Sequence, residues 1–391
     1  MVPKGWSHTT LGKVMVFKNG LNFTKADVGE EIKIVGVSDF KDLSELRSTE
    51  RLESVNVASH IKDDELLTDG DLLFVRSNGN KDLIGRCLFF PEVKERLSFS
   101  GFTIRGRADK KNILPQYIAF VARSSFFKSQ ISQYGGGTNI SNLSQQILND
   151  IALPLPPHDE QKKIAKILST WDKAITTTEQ LLANSQQQKK VLMQQLLTGK
   201  KRLLDNNGLR FSGEWKLGHL SDIAKIGKGK ALSSKDLLEG NYPVIAGGKT
   251  SPYSHRYFTH ENVITVSASG AYAGYVAYHP YKLWASDCSV VSNKTASNIG
   301  FIYQLMTYMQ TKIYSLQSGG AQPHVYPKDL EVLRVSIPPR EEQQKIAAVL
   351  STADKEITAL QHKLDALKQE KKVLMQQLLT GKRRVKVEEA A

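Results

Sequence analysis

From residue 158 to 198, and again from 340 to 380, apolar positions recur at alternating steps of four and three with no Pro or Gly between them. The first stripe runs Ile164, Leu168, Trp171, Ile175, Thr178, Leu182, Ser185, Lys189, Leu192 and Leu196. The second runs Ile346, Leu350, Ala353, Ile357, Leu360, Leu364, Leu367, Lys371, Leu374 and Leu378. A 3.5-residue repeat keeps one face turned toward a partner, so both stretches predict coiled-coil helices. At 1.5 Å per residue each spans about 60 Å. Both open on Pro-Pro followed by acidic pairs, Asp159-Glu160 and Glu341-Glu342, which suit a helix N-terminus and its dipole. Both close at Thr-Gly-Lys, with Gly199 and Gly381 as stops.

The two stretches are copies. Residues 155–203 and 337–385 align without a gap at an offset of 182, with 29 of 49 positions identical, and KKVLMQQLLTGK stands unchanged in both. The segments before each copy differ far more, but they begin alike, with Trp6 and Leu11 matching Trp215 and Leu220 in spacing. They also end alike, GGTNISNLSQQILNDIALPLPP beside GGAQPHVYPKDLEVLRVSIPP. Four segments follow: a variable module (1–154), a shared helix (155–203), a second variable module (204–336), and a shared helix with its tail (337–391). Within the modules, EIKIVGV, DLLFV and NVITVSA read as strands, and residues 114–131 and 300–317 as helices. The fold class is therefore α+β, two mixed modules on two long helices. The obvious partner for each exposed stripe is the other copy. Equivalent modules on equivalent helices favour an antiparallel pair with pseudo-twofold symmetry, the alternative being two helices each packed on its own module.

Composition narrows the class. With 40% hydrophobic and 8% aromatic residues, the chain can build real cores. No window approaches the ~18 apolar residues of a membrane span, and MVPKGWSHTT lacks a signal-peptide core, so a cytoplasmic location is expected. Cys87 and Cys288 stand far apart with no CxxC, which argues against a disulfide framework or a zinc cluster. Lys and Arg number 53 against 39 Asp and Glu, a formal charge of +14 that suits a polyanion.

Catalytic patterns fail one by one. GGKTS at 247–251 lacks the first glycine of a phosphate loop, Pro243 standing in its place. Gly227-Lys-Gly229-Lys is not GxGxxG, no NPPF- or DPPY-like tetrapeptide is present, and nine histidines show no paired ligand spacing. Glu92-Val-Lys94 with Asp82 resembles a nuclease fragment, but such fragments are common on solvated surface.

The loops offer other chemistry. Arg76, Ser77, Asn78 and Lys81 follow DLLFV, and Ser267, Ser269 and Tyr272 hold a similar strand–loop–strand place in the second module. Lys249, Thr250, His255 and Arg256 form a further cluster, joined by Lys228 and Lys230. Arg105 and Arg107 add cationic candidates, and the Gly-rich strings 135–142 and 318–327 offer Asn139, Asn142, Gln322 and His324. Fork, amide and hydroxyl groups of this kind match base edges and phosphates of duplex DNA.

With its duplicated PPxxEQ(K/Q)KIAxxLS…KKVLMQQLLTGK units, paired Trp openings and Gly-Gly…PP module endings, the whole chain resembles the specificity subunit of type I restriction-modification enzymes. The resemblance implies a non-catalytic DNA-recognition subunit in which each variable module reads one half of a bipartite asymmetric site. The antiparallel helices would set the gap and dock two methyltransferase subunits, with restriction/translocase subunits joining the complex. It also implies that S-adenosylmethionine, ATP and Mg²⁺ belong to those partners, with no cofactor or metal in this chain. The competing reading is a coiled-coil scaffold that binds protein and does not read DNA.

Overall fold

A computed structural model describes residues 3–24, 26–40, 43–58, 60–134, 142–248 and 253–387. The chain divides into two compact units, residues 1–177 with 364–391, and residues 178–363. Each unit combines one variable module with half of each long helix. No helix among the described residues is long and apolar enough to cross a membrane.

The first module is framed by a four-stranded antiparallel sheet in the order Met15–Asn19, Thr103–Ala108, Leu72–Val75, Cys87–Phe89. Its central strand LLFV is buried on both faces because alternate side chains enter different cores. Leu72 and Phe74 pack with Phe17, Ile104, Phe127 and the helices Pro115–Ala122 and Ser125–Tyr134. Leu73 and Val75 pack with Val35, Phe90 and Phe99, beneath a three-stranded sheet of Glu53–Val57, Glu30–Val35 and Leu97–Phe99.

In the second module the same frame recurs: Ala224–Lys228, Cys288–Asn293, His260–Ser267, Val276–Ala285 in order, extended at one edge by Tyr242–Ile245 and Ser254–His255. Both modules close on a two-stranded ribbon, Ser7–Thr10 with Ala152–Leu155 and Lys216–His219 with Arg334–Ile337. The frames agree in their hydrogen bonds. Gly85 N donates to Val75 O as Gly274 N does to Ser267 O, and Leu143 N donates to Arg76 O where Val325 N donates to Ala268 O. Gly85 and Gly274 both adopt left-handed backbone, at φ +77° and +89°. A Cβ at Gly85 would strike Ile131, and one at Gly274 would press on Ile313 and Tyr314.

The long helices, His158–Leu196 and Arg340–Leu378, are each 39 residues, and Gly199 and Gly381 end them at φ +70° and +71°. Within each unit the two helix segments run antiparallel. Lys371 pairs with Asp172 in the first unit, and Lys189 pairs with Asp354 at 2.5 Å in the second. These pairs are copies of one another across the 182-residue offset. A parallel in-register pair would have set Asp against Asp and Lys against Lys, so the two lysines, the charged members of the stripes, specify direction. None of the apolar seam residues is exposed: Ile164, Leu168, Leu182, Leu196, Ile346, Leu350, Leu364 and Leu378 are buried, the others half-buried.

The helix ends do not keep to a separate coil. Ile164, Leu168, Leu378 and Leu379 merge into the first module's core, and Met193, Leu196, Ile346 and Leu350 into the second's. Each module therefore packs on both helices. A buried carboxylate closes each junction. Glu342 receives Arg202 through two bonds of 2.6 and 2.7 Å and Trp215 Nε1 at 2.9 Å, with the guanidinium over the indole. Glu160 likewise receives Arg384, Nε at 2.9 Å, and Trp6 Nε1 at 3.1 Å. Gln161 and Gln343 repeat a second lock, each accepting from the backbone at a module helix start (Leu114 and Asn298) and donating to Pro156 O or Pro338 O.

Candidate nucleic-acid interface

At one end of each frame, segments distant in sequence converge on the loop after the central strand. In the first module Arg76 N and Ser77 N both donate to Phe102 O, Arg76 Nη1 donates to Gly101 O, and Leu143 N closes onto Arg76 O. Arg76, Ser77, Asn78 and Asn142 thus share one rim with Lys81 just beyond, where Asn80 caps a short 3₁₀ turn. Phe102 projects from this rim with 65% of its surface exposed. Beside it lies a cleft of about 710 Å³ lined by Ser77, Asn78, Phe102, Arg51, Asp39 and Glu53, with apolar neighbours.

In the second module Ser269 pairs with His324, Gly270 N donates to Pro323 O and Val325 N to Ala268 O. Ser269 Oγ donates to Asp287, and Ser286 N donates to Ile245 O, which brings 245–248 alongside. Lys230 N donates to Ala285 O and Gly229 N to Cys288 O at the same end. Ser269, Tyr272, Gln322, His324, Lys228 and Lys230 are therefore gathered, and His324 stacks on Tyr326 at 6.0 Å. Arg256 is exposed further along the edge strand. Asn139, Lys249 and Thr250 lie outside the described residues.

Three expected DNA contacts, Arg105, His255 and Ser267, are corrected, and a fourth, Arg107, is half-buried and held by an ion pair. Arg105 is only 4% exposed and donates to Asp64 O and Leu66 O, its guanidinium held below its ordinary pKa by burial. Arg107 grips Asp71 through two bonds of 2.9 and 2.7 Å, a carboxylate partner that pushes its pKa up. His255 is 2% exposed, accepts Leu238 N on Nδ1 and lies edge-on to Trp284 at 4.6 Å. Ser267 is buried in the central strand. Side chains buried inside the module, as Arg105, His255 and Ser267 are, cannot reach a groove.

Other groups were not singled out from the sequence: Phe102 and Arg51 in the first module, and Tyr257, Phe258 and Lys282 in the second. The aromatic alternation of YSHRYFTH was a legible signal for the latter group. Among the described residues no cluster of three His, Cys, Asp or Glu could hold a metal, and Glu92 and Lys94 form an exposed pair at 3.4 Å.

Two modules with one hydrogen-bonded frame and divergent rims, mounted on paired helices, define a duplicated recognition protein. A family model described as "type I restriction modification DNA specificity domain" matches residues 3–184 and 212–369. The chain belongs to that family, as a non-catalytic specificity subunit of a type I restriction-modification system. It is 28% identical to a putative type I restriction enzyme MjaX specificity subunit of Methanocaldococcus jannaschii, over 98% of this chain and 95% of that one. A StySPI specificity subunit of Salmonella potsdam is 30% identical over 41% of this chain and 35% of its own. The solved S subunit of a type I system from M. genitalium superposes with a TM-score of 0.66 at 16% identity, covering 96% of both chains, a likeness of fold.

Proposed function

We propose that each module reads one half of a bipartite, asymmetric DNA site, through the rim at the end of its four-stranded frame. The observation that carries this reading is the recurrence of one frame, bond for bond, beneath rims of unrelated chemistry: Arg-Ser-Asn in one module, Ser-Tyr-His in the other. A frame held constant under a varied rim is what two readers of different sequences require. The paired helices set the gap between half-sites and dock two methyltransferase subunits, to which restriction/translocase subunits add. S-adenosylmethionine, ATP and Mg²⁺ act in those partners, and the assembly works in the cytoplasm on duplex DNA.

The test is a module swap. The full chain is co-expressed with its partner subunits, residues 204–336 are replaced by another module, and methylated adenines are mapped across the genome. One half-site should change while the other and the gap persist. A motif unchanged by the swap, or lost in both halves, would refute the division of labour.

A further inference from the structure

The two frames differ in what is inserted between their first and central strands. In the first module that insert, residues 20–71, carries 6 Lys and Arg against 13 Asp and Glu. In the second, residues 229–259 carry 4 against 2, with Tyr242, Tyr253, Tyr257 and Phe258 among them. The second insert forms the added edge of the sheet, and its aromatic side chains remain at the surface. Tyr257 is 58% exposed and Phe258 42%. Cations stand over the rings: Lys282 Nζ lies 4.7 Å from the Phe258 centroid and Lys230 Nζ 5.3 Å from that of Trp284. The surface is preorganised from below. Buried His255 fixes Tyr257 and Trp284 edge-on, Trp284 Nε1 donates to Lys230 O, and Tyr242 tilts against Phe258 at 5.2 Å. Lys230 ties this ridge directly to the reading rim, since its backbone belongs to the same end of the sheet.

We propose that this aromatic–cationic ridge is a second DNA-binding surface of the second module. It grips the duplex beside the half-site without reading its sequence, and the described residues of the first module's insert form no counterpart. Arg256 and Lys282 lie on phosphates, while Tyr257 and Phe258 pack on the sugar–base wall of the groove. Rings and cations alternating on one exposed edge match the alternation of apolar sugar–base surface and anionic phosphate along a strand. The carboxylate-rich insert of the first module would repel the same backbone. Affinity is thus divided unequally, the second module supplying most of the sequence-independent grip. This inference rests on the second module contacting DNA.

Two variants of the full chain, assembled with its partner subunits, test it: R256Q/K282Q and Y257A/F258A. Binding is measured on a duplex carrying the mapped motif and on a random duplex, across a salt series. The cation variant should lower the slope of log K against log salt by roughly 1–2, near 0.9 for each phosphate that is no longer neutralised. The aromatic variant should bind both duplexes roughly tenfold more weakly at one salt concentration. Both should leave the methylated motif unchanged, and R47Q/K62Q in the first insert should leave the slope where it was. The glutamine substitutions are at surface positions and keep the fold testable if removing the rings does not. An altered motif would make these residues base readers and overturn the proposal. An unaltered slope and affinity would overturn it too, as would loss of partner subunits with DNA binding intact, which would mark a protein interface. Failure of the underlying reading shows separately, as a motif indifferent to the swap of residues 204–336.

Discussion

Replacing Arg202 by Met isolates the carboxylate that closes the second unit's junction. Glu342 is 0% exposed and has three donors, two from Arg202 and one from Trp215. R202M leaves a buried anion with the indole N–H alone, and a buried pair broken from one side costs about 3–5 kcal/mol. E342Q removes the charge instead and leaves Arg202, 19% exposed, able to turn to water, a cost of about 1–2 kcal/mol. The double variant should fall within about 2 kcal/mol of the parent, well under the sum of the singles. The repeat supplies an internal control. Arg384 is 41% exposed and Glu160 7%, so R384M should cost less than R202M. Urea unfolding of the full chain, followed by Trp fluorescence with Trp215 in the clamp, reads these differences. Costs below about 1 kcal/mol for R202M, additive singles, or a larger effect of R384M would refute the claim that burial of the carboxylate governs the junction.

Deleting one heptad from 173–188 together with its copy in 355–370 preserves both Lys–Asp pairings. It should shorten the gap by about 10.5 Å, roughly three base pairs, with both half-sites retained; methylation mapping checks the spacing, and an unchanged gap would defeat the ruler role. Arg384 Nη1 donates to Lys4 O and Gly381 lies against Pro3, so residues 3–4 and 381–384 meet in the first unit. Linking the chain across these segments and reopening it at a module–helix junction should therefore preserve assembly, read by co-purification with the partner subunits. Burial pushes the thiols of Cys87 and Cys288 up to about 12, so a thiol reagent at pH 8 should label neither in the folded chain and both in urea, as mass spectrometry would show.

The 4-3 stripe, the Thr-Gly-Lys stops and the 182-residue offset are enough by themselves to establish two long helices and a duplicated architecture. Local periodicity suffices for such features, since a helix and its seam depend on residues three and four apart. The duplication favoured an antiparallel pair, and the structure supplied the electrostatic reason, Lys189 beside Asp354 and Lys371 beside Asp172. The rims were legible only as residue types. Arg105, Arg107 and Ser267 lie on strands and His255 on an edge strand, where period-2 alternation does not say which face meets a core when both do. Which arginine reaches solvent was decided by Asp71 and by the carbonyls of Asp64 and Leu66. These approach through pairings between residues more than thirty positions apart. Tertiary structure likewise brought His324 to Ser269 and left Tyr257 and Phe258 exposed. A binding surface is an assembly of long-range neighbours, and those are settled by sheet order and packing.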